Sequence, residues 1–147
     1  MKKLMYLLLL SVCIFQGCKK DDVDLRDKFV GVWNVNATGS LTYLQGTTVI
    51  GTSPQNSTST EEIKKVGANQ LDFGGTTAIY DGTSFIFSPE TTTQTANGVT
   101  INIKRTLTGT PQGNEIIVKI VYSGTWSNAN GATGTLQGDQ LVTYTKI

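Results

Sequence analysis

Turn dipeptides set the strongest limit on how this chain folds. Asp81-Gly82, Asn97-Gly98 and Asn130-Gly131 each pair a residue that tolerates positive φ with a glycine that favours it. Gly113-Asn114 and Gly138-Asp139 are weaker versions of the same signal. Between them lie short runs rich in Thr, Val and Ile, the residues that suit a pleated, half-buried surface. This spacing predicts strands over Phe29 to Ala37, Leu41 to Ile50, Thr58 to Val66, Leu71 to Tyr80, Thr83 to Ser88, Gln94 to Ala96, Val99 to Thr108, Glu115 to Tyr122, Ala132 to Gln137 and Leu141 to Ile147. Parallel pairing needs crossovers of about a dozen residues or more, and only the polar stretch from Thr52 to Ser59 approaches that length. The expected fold is all-β: an antiparallel up-and-down β-barrel of about eight to ten strands, with two packed sheets as the alternative. One short N-terminal helical turn is expected over Asp22 to Lys28, with Asp22 or Asp24 as its N-cap.

Alternation within the runs assigns faces. Val99, Ile101, Ile103 and Leu107 share one side of a strand, and Arg105 falls among them. A guanidinium on an apolar face is costly unless it meets an anion, a hydrogen-bond network or solvent at the barrel rim. Arg105 is therefore the sharpest candidate for a ligand contact, with a register shift or a position at the rim as the structural alternative. Tyr43, Phe73, Phe85, Phe87, Ile116, Val118, Ile120 and Tyr122 are expected on inward faces, and Tyr43, Phe85, Phe87 and Tyr122 join Arg105 as candidate ligand-binding residues.

The N-terminus carries different information. Lys2 and Lys3 precede an apolar stretch from Leu4 to Phe15, too short to span a bilayer, and Gly17 follows, so the pattern reads as an export signal. Phe15-Gln16-Gly17-Cys18 resembles the bacterial lipobox, a resemblance that implies cleavage before Cys18 and acylation of that cysteine. Residues 1–17 would be removed, 18–27 would form a lipidated, charged tether, and 28–147 would form the barrel domain. The partner implied is a membrane, reached through the lipid anchor; a soluble secreted protein with a free thiol is the alternative. Cys13 lies in the segment to be removed, so Cys18 would be the sole remaining cysteine and no intramolecular disulfide could form. Lys19-Lys20-Asp21-Asp22 looks like the export signal of some Bacteroidetes-type lipoproteins. The expected location is the outer membrane, on either its cell-surface or its periplasmic face. Without Lys2 and Lys3, twelve basic residues become ten, scattered against eleven acidic ones, which leaves no electrostatic footprint for nucleic acid.

The stretch Asp27 to Val35, DKFVGVWNV, resembles the first-strand motif of the calycin superfamily, the lipocalins and fatty-acid-binding proteins. Phe29, Gly31 and Trp33 match its Phe-x-Gly-x-Trp pattern. The resemblance implies that Trp33 plugs the closed end of the barrel, with Lys146 of the last strand over its ring. It also gives Arg105 a model, because fatty-acid-binding proteins hold ligand carboxylates with inward arginines. The chain looks most like the lipocalin-like domains of small bacterial lipoproteins.

Chemistry is harder to place. The chain has no histidine, and its serines lack the motifs that activate a nucleophile. Glu61 and Glu62 are adjacent and would point to opposite faces of a strand, while Asp72, Asp81, Glu90, Glu115 and Asp139 read mostly as turn residues. No catalytic residue, metal site or cofactor is expected. The expected function is non-catalytic binding of a small hydrophobic or amphipathic ligand inside the barrel. The alternative is a filled barrel or sandwich acting as a structural or protein-interaction module of a cell-surface complex.

Overall fold

The computed structural model describes residues 23–147. Residues 1–22, which hold the expected signal, Cys18 and the first part of the tether, lie outside this range; the rest of the tether, 23–27, is described. Ten strands make one antiparallel sheet: β1 (Gly31–Gln45), β2 (Thr48–Pro54), β3 (Ser57–Val66), β4 (Gln70–Phe73), β5 (Thr76–Tyr80), β6 (Phe85–Phe87), β7 (Glu90–Ala96), β8 (Val99–Gln112), β9 (Glu115–Asn128) and β10 (Thr133–Lys146). Pairing of β10 with β1 closes eight of them into a barrel, in the order β1, β3, β4, β5, β6, β8, β9, β10.

The two remaining strands arise because β1 and β8 change neighbours along their length. β1 pairs with β3 over Gly31 to Ala37 and with β2 over Ser40 to Gln45. Likewise β8 pairs with β6 at Thr108 and Gly109 and with β7 from Arg105 back to Val99. Beyond the barrel, β2, β1, β10, β9, β8 and β7 continue as an open six-stranded sheet. The molecule is thus a closed ring that opens on one side.

The local sequence explains most of these elements. Asn97 (φ 51°) and Gly98 (φ 73°) supply the two positive φ angles of a type I′ turn between β7 and β8. Asp81 accepts hydrogen bonds from the backbone N–H groups of Thr83 and Ser84 at 2.8 and 2.7 Å and fixes the link from β5 to β6. All paired strands are antiparallel, and the stretch from 52 to 59 holds the end of β2, the start of β3 and a two-residue bend at Gln55 and Asn56 between them.

Four expectations are corrected. The run from Leu41 to Ile50 is not one strand: its first part completes β1, and β2 begins at Thr48 after a turn at Gly46 and Thr47. The helical turn over Asp22 to Lys28 reduces, among the described residues, to one 3-10 turn, Asp27–Phe29. Asp24 does not cap a helix. Its carboxylate binds Arg26 at 2.7 Å and Lys65 at 3.0 Å, while Arg26 donates to the carbonyls of Gly67 and Gln70, which fastens the lead segment to the β3–β4 turn. The run from Leu71 to Tyr80 is two strands split by a Gly74-Gly75 turn, not one. Gly138-Asp139 is not a turn. Both residues lie within β10, where a Cβ on Gly138 would stand 2.1 Å from the Ser40 carbonyl oxygen of the neighbouring strand. That glycine serves close strand approach rather than chain reversal.

Inward residues fill the barrel unevenly. Trp33, Ile63, Leu71, Phe85 and Ile116 are almost completely buried. Phe29 packs edge-on against Tyr80 (4.8 Å between ring centres) and Phe85 (4.9 Å), and Phe73 meets Phe85 at 5.2 Å. These contacts make a solid aromatic floor. Trp33 donates its Nε1 hydrogen to the Phe29 carbonyl at 2.9 Å, and Lys146 Nζ lies 5.6 Å from its ring centre while donating to the Lys28 carbonyl at 2.7 Å. The 3-10 turn is thereby tied to both the first and the last strand.

Candidate functional site

Above the floor the side chains become smaller. Val35 and Ala37 of β1, Val118 and Ile120 of β9, Val142 of β10 and Leu107 of β8 surround a cavity of about 210 Å³, with Phe73 and Phe87 at its base. Exposed Ser57 and Ser59 at the start of β3 line it where it meets solvent. A cavity of roughly 150 Å³ accommodates benzene, so this one has room for a ring with a short chain.

Three ionisable side chains reach this space: Glu61, Arg105 and Tyr144. Glu61 pairs with Trp33 in the β1–β3 ladder and shares its inward face. Its carboxylate accepts a hydrogen bond from the Tyr144 hydroxyl at 3.2 Å. It also lies against the β4–β5 turn, where a Cβ on Gly74 would come within 2.8 Å of the carboxylate. Burial, reinforced by the negative charge of Glu61, pushes the Tyr144 hydroxyl far above its ordinary pKa, so it stays a neutral donor.

Arg105 points inward in register, between Leu107 and Ile103, with no bulge at that position. Its side chain is 38 % exposed, and its guanidinium pairs with Glu90, the directly opposed residue of β7. Its buried Nε finds no protein acceptor. Next to it in the ladder is Tyr122, whose hydroxyl is raised in pKa chiefly by burial and donates to Gln140 at 2.8 Å.

Of the candidate ligand-binding residues, the structure places Arg105 and Phe87 on the cavity wall. Phe85 is sealed into the floor, Tyr122 is buried against Gln140, and half-buried Tyr43 packs on the core from the open sheet, so none of these three lines the cavity. The ionisable cavity-lining residues missed as site candidates in the sequence are Glu61 and Tyr144. Alternation did place Glu61 and Glu62 on opposite faces, but only the pairing of β3 with β1 shows which glutamate faces inward.

Comparison with known proteins finds no matching family model, no similar curated protein and no similar solved structure. Among the described residues, no three potential ligating side chains of His, Cys, Asp or Glu gather in one place. The wall of the cavity is mixed, with apolar side chains and the polar groups of Ser57, Ser59, Glu61, Thr76, Arg105 and Tyr144 sharing it.

Proposed function

We propose that this barrel binds a small amphipathic molecule, without catalysis, in the cavity above the aromatic floor. The observation that carries this reading is the cavity itself: about 210 Å³ bounded by apolar side chains on one side and by Glu61, Tyr144 and Arg105 on the other. A structural barrel gains stability by filling such space, because each unfilled void forfeits packing energy. The lipocalin-like resemblance of Phe29, Gly31 and Trp33 belongs to the same reading, as does outer-membrane anchoring through acylated Cys18.

Native mass spectrometry of the protein purified from a rich extract tests the binding function. A stoichiometric small molecule retained by the protein is expected, and a clean apo mass followed by failure to take up any small amphiphile would overturn it. Replacing Cys18 with Ala should release the protein from the membrane fraction and abolish acyl-chain labelling; unchanged labelling would refute the anchor.

A second reading is an interaction module that pairs with a partner strand. It is favoured by the outer edges of β2 and β7, which are unpaired among the described residues. Crosslinking from β7 would find that partner.

A further inference from the structure

The charges around the cavity do not balance. Arg105 is matched by Glu90, which stands directly opposite it in the β7–β8 ladder. Glu61 has no such match. Among the described residues, no lysine or arginine nitrogen lies within 4.0 Å of its carboxylate, and its hydrogen-bond partners are the hydroxyls of Tyr144 at 3.2 Å and Ser59 at 3.4 Å. The formal charges of Glu61, Arg105 and Glu90 sum to minus one.

From this we propose that the ligand carries a cationic amine, held by Glu61, with an apolar ring or short chain directed toward Phe73 and Phe87. The inference rests on the binding function proposed above and names the ligand's charge class. An anionic head could take the unpaired Nε of Arg105, but it would share that guanidinium with Glu90 and lie in the same small cavity as the Glu61 carboxylate. An ammonium group meets the reverse situation: a carboxylate with no cationic partner among the described residues, and hydroxyl oxygens from Ser57 and Ser59 that can accept its remaining hydrogens. The aromatic side chains beneath supply the apolar contact.

Calorimetric titration of the purified full-length protein with 2-phenylethylamine, 2-phenylethanol and 3-phenylpropanoate tests the proposal, because the probes share a ring and differ mainly in charge. The amine should bind at least tenfold more tightly than the alcohol, a difference of about 1.4 kcal/mol, and the carboxylate should bind most weakly. Glu61→Gln should erase the amine's advantage and leave the alcohol nearly unaffected. Glu90→Gln, a second variant that leaves Glu61 intact and frees Arg105, should weaken amine binding and admit the carboxylate. Equal binding of amine and alcohol, or preferred binding of the carboxylate that Arg105→Gln removes, would overturn the amine assignment and leave the binding function standing. If no probe binds at millimolar concentration, the binding function falls and the amine assignment falls with it.

Discussion

Replacing Gly124 with Ala should destabilise the protein far more than a methyl group ordinarily does. Gly124 lies in β9 opposite Ile103 of β8 and Leu136 of β10, on the inward face of the open sheet. A Cβ there would fall 2.0 Å from the Asn102 carbonyl oxygen, 3.0 Å from its carbon and 3.2 Å from the Ile103 Cα. All three are backbone atoms, so no rotamer change relieves the clash. Accommodation means prising β8 from β9 by more than an ångström or giving up the ladder hydrogen bonds at that point. Overpacking costs about 1–3 kcal/mol, and each lost hydrogen bond adds about 0.5–1.5 kcal/mol. Against this, Gly→Ala recovers roughly 0.4–1 kcal/mol by restricting the unfolded chain. The net loss is about 2–3 kcal/mol, or a fall in Tm on the order of 6–15 °C for a domain of this size. Gly51→Ala in β2 is the control, because a Cβ there meets nothing within 4 Å; it should leave Tm unchanged or slightly raised. Urea and thermal unfolding followed by the fluorescence of Trp33 and Trp126 would measure both. If Gly124→Ala is as stable as Gly51→Ala, the close approach of β8 and β9 is wrong.

Three other perturbations separate the parts of the molecule. Trp33→Ala should cost about 3–5 kcal/mol in urea unfolding, whereas Trp33→Phe should lose chiefly the bond to the Phe29 carbonyl, about 1–2 kcal/mol; equal losses would refute the packing role of the indole. Arg105→Met should change stability by less than about 1 kcal/mol, because its pair with Glu90 is partly solvated; a large loss would make Arg105 structural. Asp81 is held well below the ordinary carboxyl range, first by the Ser84 N–H and then by the N–H and hydroxyl of Thr83. Its depressed folded-state pKa contributes stability above the unfolded value, about 3.9, and that contribution disappears as pH falls through the folded value. Asp81→Asn should therefore lower stability at neutral pH and flatten the acid limb of the stability curve, and an unchanged limb would refute the assignment.

The architecture was legible in the sequence because hairpin turns announce themselves locally. Asn97-Gly98 can be read without knowing what it joins. Strand continuity is less visible. The segment from Ala37 to Leu41 looks like a break between two runs, yet Gly39 and Ser40 are extended residues at which β1 exchanges β3 for β2. A change of neighbour is a long-range event with no local sequence mark. The same limit applies to the site. Alternation put Arg105 on the inward face, because its neighbours in sequence define that face. Pairing Arg105 with Glu90, or bringing Glu61 to Tyr144 across 83 residues, depends on the register of distant strands.

Register also explains why charge appears where it does. Ser57 is the first residue of β3, paired with Ala37, and Glu90 is the first residue of β7, paired with Arg105. Both pairs mark the step at which the closed ring gives way to the open sheet. Below it, β3, β4, β5 and β6 complete the wall, and the inward residues Leu71, Phe73, Phe85 and Ile116 are buried. At the step, water reaches the interior, so desolvating a guanidinium or carboxylate costs far less than it would on the floor. Burial along β8 follows this gradient: Leu107 is 9 % exposed, while the side chain of Arg105, two residues nearer the opening, is 38 % exposed. One topological feature, the change of neighbours along β1 and β8, thus interrupts the wall, creates the cavity and permits ionic groups at its rim. A molecule entering by this route meets the charged row before the aromatic floor, an order that favours an amphiphile with its polar group toward solvent and its apolar part below.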